Sequence, residues 1–274
     1  MTAAEYSSVD GLDVFLDDRA LHVVLNRPDK RNAVTETMML GLVDAVSAAG
    51  TDERVRVVVL RSVGDHFCGG ADIIARNARN AASDQRPRTG SIQRRLPEQA
   101  HRLIPLLMSV QIPVVCGVQG WAAGIGFQLA LAADFTIAAD DARFWEPFAS
   151  RGFTPDSGAT WLLPRRVGPV RARELLLLGR ALSGVEAAEW GLIHRSVPAA
   201  ELDRELGALA IEIVSGPTVA LGLTKWLLHE GSGLPLEGHL ANEAFALELS
   251  SRTEDFREGL AAFRERRDPR FEGR

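Results

Sequence analysis

Apolar residues in the first two thirds of the chain fall into runs of two kinds. Consecutive apolar positions in 21–28, at the start of 55–73 and at the start of 112–134 are typical of strands, and Pro28 ends the first of them. Between them, apolar residues recur every three or four positions, as in 32–50, which predicts a helix ending at Gly50. This alternation of strands and helices predicts an α/β architecture.

After residue 168 the spacing becomes helical and stays so to the end of the chain. We therefore predict a core over 1–199 and a helical region over 200–274. A small appendage cannot bury the apolar faces of these helices by itself, so we expect them to pack on neighbouring subunits. The faces used for this prediction are Leu202, Leu206, Leu209 and Ile213, and Ala241, Phe245 and Leu249.

Composition excludes several classes of function. The 274 residues are 46% hydrophobic, enough for a large core. With 31 basic and 36 acidic residues the net charge is -5, so we expect no nucleic-acid partner. No apolar run reaches the ~18 residues of a membrane span, so we expect no membrane partner. Two cysteines without metal-ligand spacing, and no secretory leader, favour a cytoplasmic protein without a metal.

The segment 76–95 differs from its surroundings because it is polar, basic and poor in apolar residues. Such a composition is typical of a surface segment or lid, and we expect the least order here.

Two glycine-rich loops, 67–73 and 120–127, place small residues where helices are predicted to start. The first N–H groups of a helix have no internal acceptor. If the fold brings the loops together, one N–H from each could hold a developing oxyanion. The alternative is that these glycines only permit tight turns and close packing.

Six sequence blocks extend over nearly the whole chain in the order and spacing of one family. They are LNRPDKRNAV, HFCGGADI, VQGWAAGIGFQLALAADFTIAADDARF, GFTPDSGATWLLPRRVG, LSGVEAAEWGLIHRSVP and REGLAAFRERRDPRF. The chain thus resembles the enoyl-CoA hydratase/isomerase (crotonase) superfamily. The resemblance implies a ClpP/crotonase-like spiral of ββα units, a C-terminal helical trimerisation region, and a homotrimer or a dimer of trimers.

The resemblance also implies a coenzyme A thioester substrate, with no cofactor apart from the coenzyme A that the substrate carries. The backbone N–H groups of Ala71 and Ile125 match the oxyanion donors of the family. Further positions match its substrate and coenzyme contacts: Lys30, Arg31, Asp72, Ile73, Gly124, Phe263 and Arg266. For Asp72 the first interpretation is that it anchors its loop, and for the basic residues the alternative is an ordinary solvated surface.

Departures from the family pattern concern the reaction. Gln128 and Phe148 occupy the positions of the two glutamates that activate water in the hydratases of the family. An amide cannot take a proton from water at neutral pH, and a phenylalanine cannot hold one. Glu146 lies two residues before Phe148, and we interpret it as a solvent-exposed loop charge.

Asp156, in the Pro-Asp-Ser-Gly turn, is the remaining candidate for proton transfer. Isomerases of the superfamily carry one carboxylate at this place, and the surrounding residues resemble the epoxyphenylacetyl-CoA isomerase branch. We expect an enoyl-CoA isomerase, of the double-bond-shift or the ring-epoxide type, in which Asp156 moves the proton. Three alternatives remain open: Asp156 caps the following helix, the enzyme is a hydratase, or the protein is a non-catalytic acyl-CoA-binding scaffold.

Overall fold

Two sheets are formed by the residues that the computed structural model describes, which are 5–72, 89–98, 100–231 and 233–274. The strands are β1 (Leu12–Asp17), β2 (Ala20–Leu25), β3 (Val57–Ser62), β4 (Val114–Val118), β5 (Trp121–Ala123), β6 (Phe135–Ala139), β7 (Arg143–Trp145), β8 (Leu182–Ser183) and β9 (Arg195–Val197). The larger sheet has the order β1-β2-β3-β4-β6-β9 and is parallel from β2 onward. The smaller sheet joins β5, β7 and β8. The predicted α/β architecture is confirmed.

Helices cover the sheets and extend the C-terminal part. They are α1 (Glu36–Ala49), α2 (Ser91–Arg95), α3 (Ala100–Ser109), α4 (Ile125–Ala132), α5 (Ala159–Leu178), α6 (Gly184–Glu189), α7 (Leu202–Val214), α8 (Thr218–Gly231), α9 (Leu236–Ser250) and α10 (Glu254–Glu265). As predicted, α1 is followed by Gly50, and the Thr35 hydroxyl caps its start by accepting from the Met38 N–H. Helix α2 lies within the segment 76–95, for which we expected little order, whereas residues 73–88 lie outside the described residues.

The apolar face of α7 corrects one prediction. Leu202, Leu206, Leu209 and Ile213 are buried within the chain itself, where they pack on Val57, Val59, Val115 and Ile137 of the large sheet. The expectation that they cover a neighbouring subunit is wrong, because a parallel sheet needs both faces covered and α7 covers the second one. Ala241, Phe245 and Leu249 are exposed in the single chain, so for them the prediction stands. The boundary between 199 and 200 also stays a prediction.

Among the described helices, none is by itself long and apolar enough to cross a bilayer. Ala199–Val214 and Thr218–Gly231 pass such a test only as a pair, and the two are bent by 106° relative to each other.

Leu206→Ala tests the packing of α7. Leu206 is 3% exposed. Its side chain packs so closely on Gly117 that a Cβ added to this glycine would lie 2.7 Å from Leu206 Cδ2. We expect a loss of about 2–4 kcal/mol in the free energy of unfolding, measured by urea denaturation, because the truncation leaves a cavity. Ile211→Ala on the outer face of the same helix is the control, since Ile211 is 69% exposed, and should change stability by less than about 0.5 kcal/mol. Equal effects of both variants would contradict the packing.

Candidate active site

The two glycine-rich loops lie side by side. The Cys68 N–H donates to the Trp121 carbonyl at 2.8 Å, and the Ala123 N–H donates to the Cys68 carbonyl at 2.9 Å. The approach is so close that a Cβ at Gly126 would lie 2.5 Å from the Cβ of Cys68. Gly126 therefore permits the contact, and the condition that we set for an oxyanion site, that the loops meet, is fulfilled.

Ala71 and Ile125 each present a backbone N–H at this junction. The backbone of Val34 pairs with the residues on both sides of Ala71: its carbonyl accepts from the Asp72 N–H, and its N–H donates to the Gly70 carbonyl. The N–H of Ala71 therefore points away from Val34. No acceptor for it occurs among the described residues. Ile125 is the first residue of α4, whose N-cap is Gly124 with φ 53°, and its N–H has no partner within the helix. Two such donors lie on adjoining segments, which agrees with the predicted oxyanion hole, and their role stays a prediction.

Gln128 and Glu146 form a buried pair beside this junction. The Gln128 Nε2 group donates a short hydrogen bond to Glu146 Oε1. Both side chains are almost inaccessible, with exposed fractions of 0% and 1%. The interpretation of Glu146 as a solvent-exposed charge is therefore wrong. It follows β7, whose pairing with β5 places Trp145 opposite Ala123, and this register turns the next residue inward.

Burial determines the ionisation of Glu146. Loss of water raises its pKa well above the usual range, the hydrogen bond from Gln128 lowers it, and the nearby negative charge of Asp156 raises it further. Glu146 has no ion pair with a basic residue in the described part of the chain. Burial without a cationic partner favours the neutral form of this carboxyl group. The site thus contains two carboxyl groups of different character, Glu146 and Asp156.

Asp156 lies in a tight, left-handed turn. Ser157 has φ 53° and Gly158 φ 89°, and the Ser157 hydroxyl donates to Asp156 Oδ1 at 2.9 Å. Positive φ at a serine costs about 1–3 kcal/mol and persists only where the surroundings hold it. The N-cap of α5 is Gly158, without a side-chain cap. The Asp156 carboxylate therefore does not cap this helix, and the capping alternative is not supported.

Three aromatic residues flank the turn in sequence. Phe148 is buried, lies 3.8 Å from the position of a Cβ at Gly124, and meets Phe153 edge to face with ring centroids 5.4 Å apart. Trp161 is partly exposed, and the Arg165 guanidinium lies over its ring at 4.0 Å. Phe148 is thus the ring that adjoins the loop carrying Ile125, one of the two predicted oxyanion donors.

The predicted coenzyme contacts on the first loop have different surroundings. The Asp72 carboxylate forms an ion pair of 3.1 Å with Arg27, which supports its interpretation as a loop anchor. Lys30 and Arg31 are exposed, and the Arg31 carbonyl accepts from the Gly69 N–H at 2.7 Å. The basic pair is thereby joined to the donor loop. Ile73 lies outside the described residues.

Phe263 and Arg266 are not brought to the loops within one chain. Helix α10 is held to the C-terminal tail, where the Asp255 carboxylate accepts from the N–H groups of Glu272 and Gly273 at 2.7 and 2.9 Å. Arg56, at the amino end of β3, donates to the Phe271 carbonyl. The loop 67–72 follows the opposite end of that strand. Phe263 is 84% exposed, so a contact with the coenzyme would require a neighbouring subunit.

The cysteines have packing positions. Cys68 and Cys116 are free and buried, and burial raises the pKa of the Cys68 thiol to about 12.

Among the described residues, no cluster of three or more His, Cys, Asp or Glu side chains could hold a metal ion.

Comparison with known proteins identifies the family. The sequence profile of enoyl-CoA hydratase/isomerase matches residues 18–274. The chain belongs to the enoyl-CoA hydratase/isomerase family. It is 36% identical over 252 residues to the 1,2-epoxyphenylacetyl-CoA isomerase of Escherichia coli (strain K12), covering 92% of this chain and 94% of the relative. It is 32% identical over 256 residues to the crotonyl-CoA hydratase of Syntrophomonas wolfei, covering 93% and 95%.

Solved structures agree with this assignment. The enoyl-CoA hydratase of Bacillus anthracis superimposes with a TM-score of 0.87 at 29% identity, covering 96% of this chain and 100% of the other. The crotonase fold is therefore confirmed, and the chain is an acyl-CoA enzyme of the enoyl-CoA hydratase/isomerase family. The names of the relatives include both hydratases and isomerases, so membership of the family does not choose between the two reactions.

Sequence reasoning misjudged one residue that shapes the site, Glu146, and missed another, Asn32. Glu146 stands in the stretch FWEPF, and its apolar neighbours were a signal of burial. Asn32 is also buried, and its side-chain amide donates to the carbonyls of Val63 and His66 at 2.9 and 2.6 Å. The Asn32 side chain thus joins the segment after β2 to the residues that lead into the loop 67–73.

Glu146→Gln should stabilise the protein increasingly as pH rises. In the unfolded chain Glu146 loses its proton above about pH 4.3, while the folded chain retains it. Stability of the wild type therefore falls with rising pH through this window, and glutamine removes the effect. A tenfold change in proton affinity corresponds to about 1.4 kcal/mol. We therefore expect the free energy of unfolding of Glu146→Gln, relative to that of the wild type, to rise by at least about 1 kcal/mol from pH 5 to pH 8, as measured by urea unfolding.

The control for this measurement is Glu212→Gln, which changes an exposed glutamate of α7. Its stability relative to the wild type should not depend on pH in the same range. A pH-independent difference for Glu146→Gln as well would show that Glu146 is ionised in the folded protein.

Proposed function

We propose that this family member is an enoyl-CoA isomerase that shifts a double bond with Asp156 as the base. The observation that carries the proposal is the difference between the two carboxyl groups of the site. Asp156 is partly accessible on a constrained turn, whereas Glu146 is buried with Gln128. The positions of the two hydratase glutamates hold Gln128 and Phe148, which cannot activate water.

The reaction begins at the carbon next to the thioester carbonyl. The Asp156 carboxylate takes a proton from this carbon, and the electrons of the broken C–H bond move into a dienolate. The N–H groups of Ala71 and Ile125 stabilise the oxygen on which negative charge develops. A proton then returns to the carbon two positions farther along, and the double bond moves by one position. No atom is gained or lost overall.

Coenzyme A is part of the substrate in this proposal, and no separate cofactor takes part. Lys30 and Arg31 attract its phosphates, while Asp72, Ile73 and Gly124 belong to the loops that bind the thioester. Phe263 and Arg266 cover the coenzyme from a neighbouring subunit, in agreement with the exposure of Phe263. The cytoplasm stays the expected location.

Hydration is the second candidate, supported by the 32% identity to a crotonyl-CoA hydratase and by the two carboxyl groups in the site. A non-catalytic acyl-CoA-binding scaffold is the third. The candidates differ in the product, because an isomer has the mass of the substrate, a hydration product gains one water, and a scaffold releases no product.

Asp156→Asn should abolish the chemistry and preserve the fold. We expect isomerisation and exchange of the α-proton with D₂O to fall by about 10²-fold or more, because the base is lost. Binding of the coenzyme A ester and the melting temperature should stay near the wild type. Products from 2-enoyl-, 3-enoyl- and ring-epoxide-CoA esters are followed by mass spectrometry, and proton exchange by NMR.

Glu212→Gln again serves as the control and should keep both rates. If Asp156→Asn isomerises at the wild-type rate, Asp156 is not the base. If the wild type adds water to short 2-enoyl-CoA faster than it isomerises any ester, the hydratase candidate replaces our proposal.

The assembly that we propose is a trimer or a dimer of trimers of this chain. Helix α9 supports it, since Leu236, Leu240, Phe245, Leu247 and Leu249 are exposed in the single chain, Phe245 by 60%. Such a surface favours an obligate contact. Light scattering should give three or six times the mass of the chain at micromolar concentration. Replacing Phe245 and Leu249 together by Glu should lower this mass, while Glu237→Ala on the same helix should not. A monomeric wild type would contradict the proposal.

A further inference from the structure

The buried Gln128–Glu146 pair leaves two polar atoms without a partner in the described part of the chain. These atoms are Gln128 Oε1 and Glu146 Oε2. Leaving such an atom unsatisfied in a protein interior costs about 1–3 kcal/mol. An apolar pair of similar size would avoid this cost, so the pair is not explained by packing alone. In a neutral Glu146, Oε2 carries the acidic O–H, which has no acceptor within the described part of the chain.

The pair adjoins the loop that carries one of the proposed oxyanion donors. Gln128 is three residues after Ile125 on α4, and residues at this spacing share one face of a helix. Glu146 follows Trp145, whose carbonyl accepts from the Gly124 N–H at 3.0 Å. On its other side, Glu146 is close enough to Asp156 for the charge of that carboxylate to act on it.

We propose that Glu146, held by Gln128, is a second catalytic residue that supplies the proton for the far carbon while Asp156 removes the proton from the near one. This inference rests on the proposed isomerase function and replaces its single proton carrier by two. Pairs of carboxyl groups whose surroundings separate their proton affinities commonly divide the acid and base roles in this way.

The exchange of protons balances. Asp156 gains the α-proton and becomes neutral. The O–H bond of Glu146 breaks, its proton forms the new C–H bond at the far carbon with the electron pair of the dienolate, and Glu146 becomes a carboxylate. The two groups together carry one negative charge before and after the step, so no additional charge is created in the buried site. A proton passing from Asp156 to Glu146, directly or through water, restores the starting state.

The constraint on Asp156 favours two carriers over one. A single carboxylate would have to move between two carbons, whereas Asp156 is held by the Ser157 hydroxyl on a turn with positive φ. The Gln128 N–H, which already points at Glu146 Oε1, stabilises the carboxylate that forms there.

Glu146→Gln separates the two roles. The substitution keeps the size and neutrality of the side chain but removes the acidic proton. In D₂O we expect α-proton exchange to stay within about threefold of the wild type, while isomerisation falls by about 10²-fold or more. Asp156→Asn should lose both processes, and Glu212→Gln should lose neither. Gln128→Leu, which leaves Glu146 intact but unsupported, should lower isomerisation by about tenfold relative to exchange.

Two results would overturn the inference alone. One is wild-type isomerisation by Glu146→Gln when Asp156→Asn is inactive, since one carboxylate then suffices. The other is an equal fall of exchange and isomerisation in Glu146→Gln and Gln128→Leu, which would mean that the pair only supports the site. A wild type that neither exchanges the α-proton nor isomerises any ester would overturn the proposed function, and this inference with it.

Discussion

The site depends on the backbone pairing of Cys68 with Trp121 and Ala123. These hydrogen bonds fix the first glycine-rich loop to β5, and the absence of a side chain at Gly126 lets α4 start against Cys68. Because β7 pairs with the other edge of β5, the same strand also determines the position of Glu146. A shift of one residue in either pairing would turn alternate side chains to the opposite face. The two N–H donors and the buried acid are thus held by one short strand.

Much of the fold follows from local pattern. The strand β2 (Ala20–Leu25), predicted within 21–28, the helix that ends before Gly50 and the successive C-terminal helices are all evident from apolar spacing and breakers. The surface on which α7 packs is not evident from this pattern. By sequence, an amphipathic helix fits the face of its own sheet and the face of a neighbouring subunit equally well. Only the crossing of the chain to the second face of the sheet decides between them. Short strands such as β5, β7 and β8 likewise depend on partners that are distant in sequence.

The candidate site was predictable where backbone or turn chemistry defines it. Glycine spacing indicates unpaired N–H groups in the two loops, while the resemblance to the family assigns them to Ala71 and Ile125 and gives Asp156 its role in proton transfer. The burial of Glu146 was not predicted, because charged residues are usually exposed. Its burial follows from the register of β7 on β5, which the sequence does not show. Gln128 offered an indirect signal. A polar residue on a helix that is otherwise apolar needs a buried partner, and the only acid in the following FWEPF stretch is Glu146.

These departures from a stable design occur together. Ser157 has a backbone conformation that costs energy, burial raises the pKa of Glu146, and Gln128 Oε1 and Glu146 Oε2 lack partners in the described structure. Lys225 shows the alternative, since this buried cation donates to two carbonyls and pairs with Asp134 at 2.7 Å. Among the described residues, unpartnered buried atoms also occur away from the site, for example His22 Nδ1 and Thr218 Oγ1. What distinguishes the Gln128–Glu146 pair is its position beside a loop that carries a proposed oxyanion donor, where a bound substrate would supply partners that the described chain does not, so in the proposed mechanism the stability given up there serves chemistry.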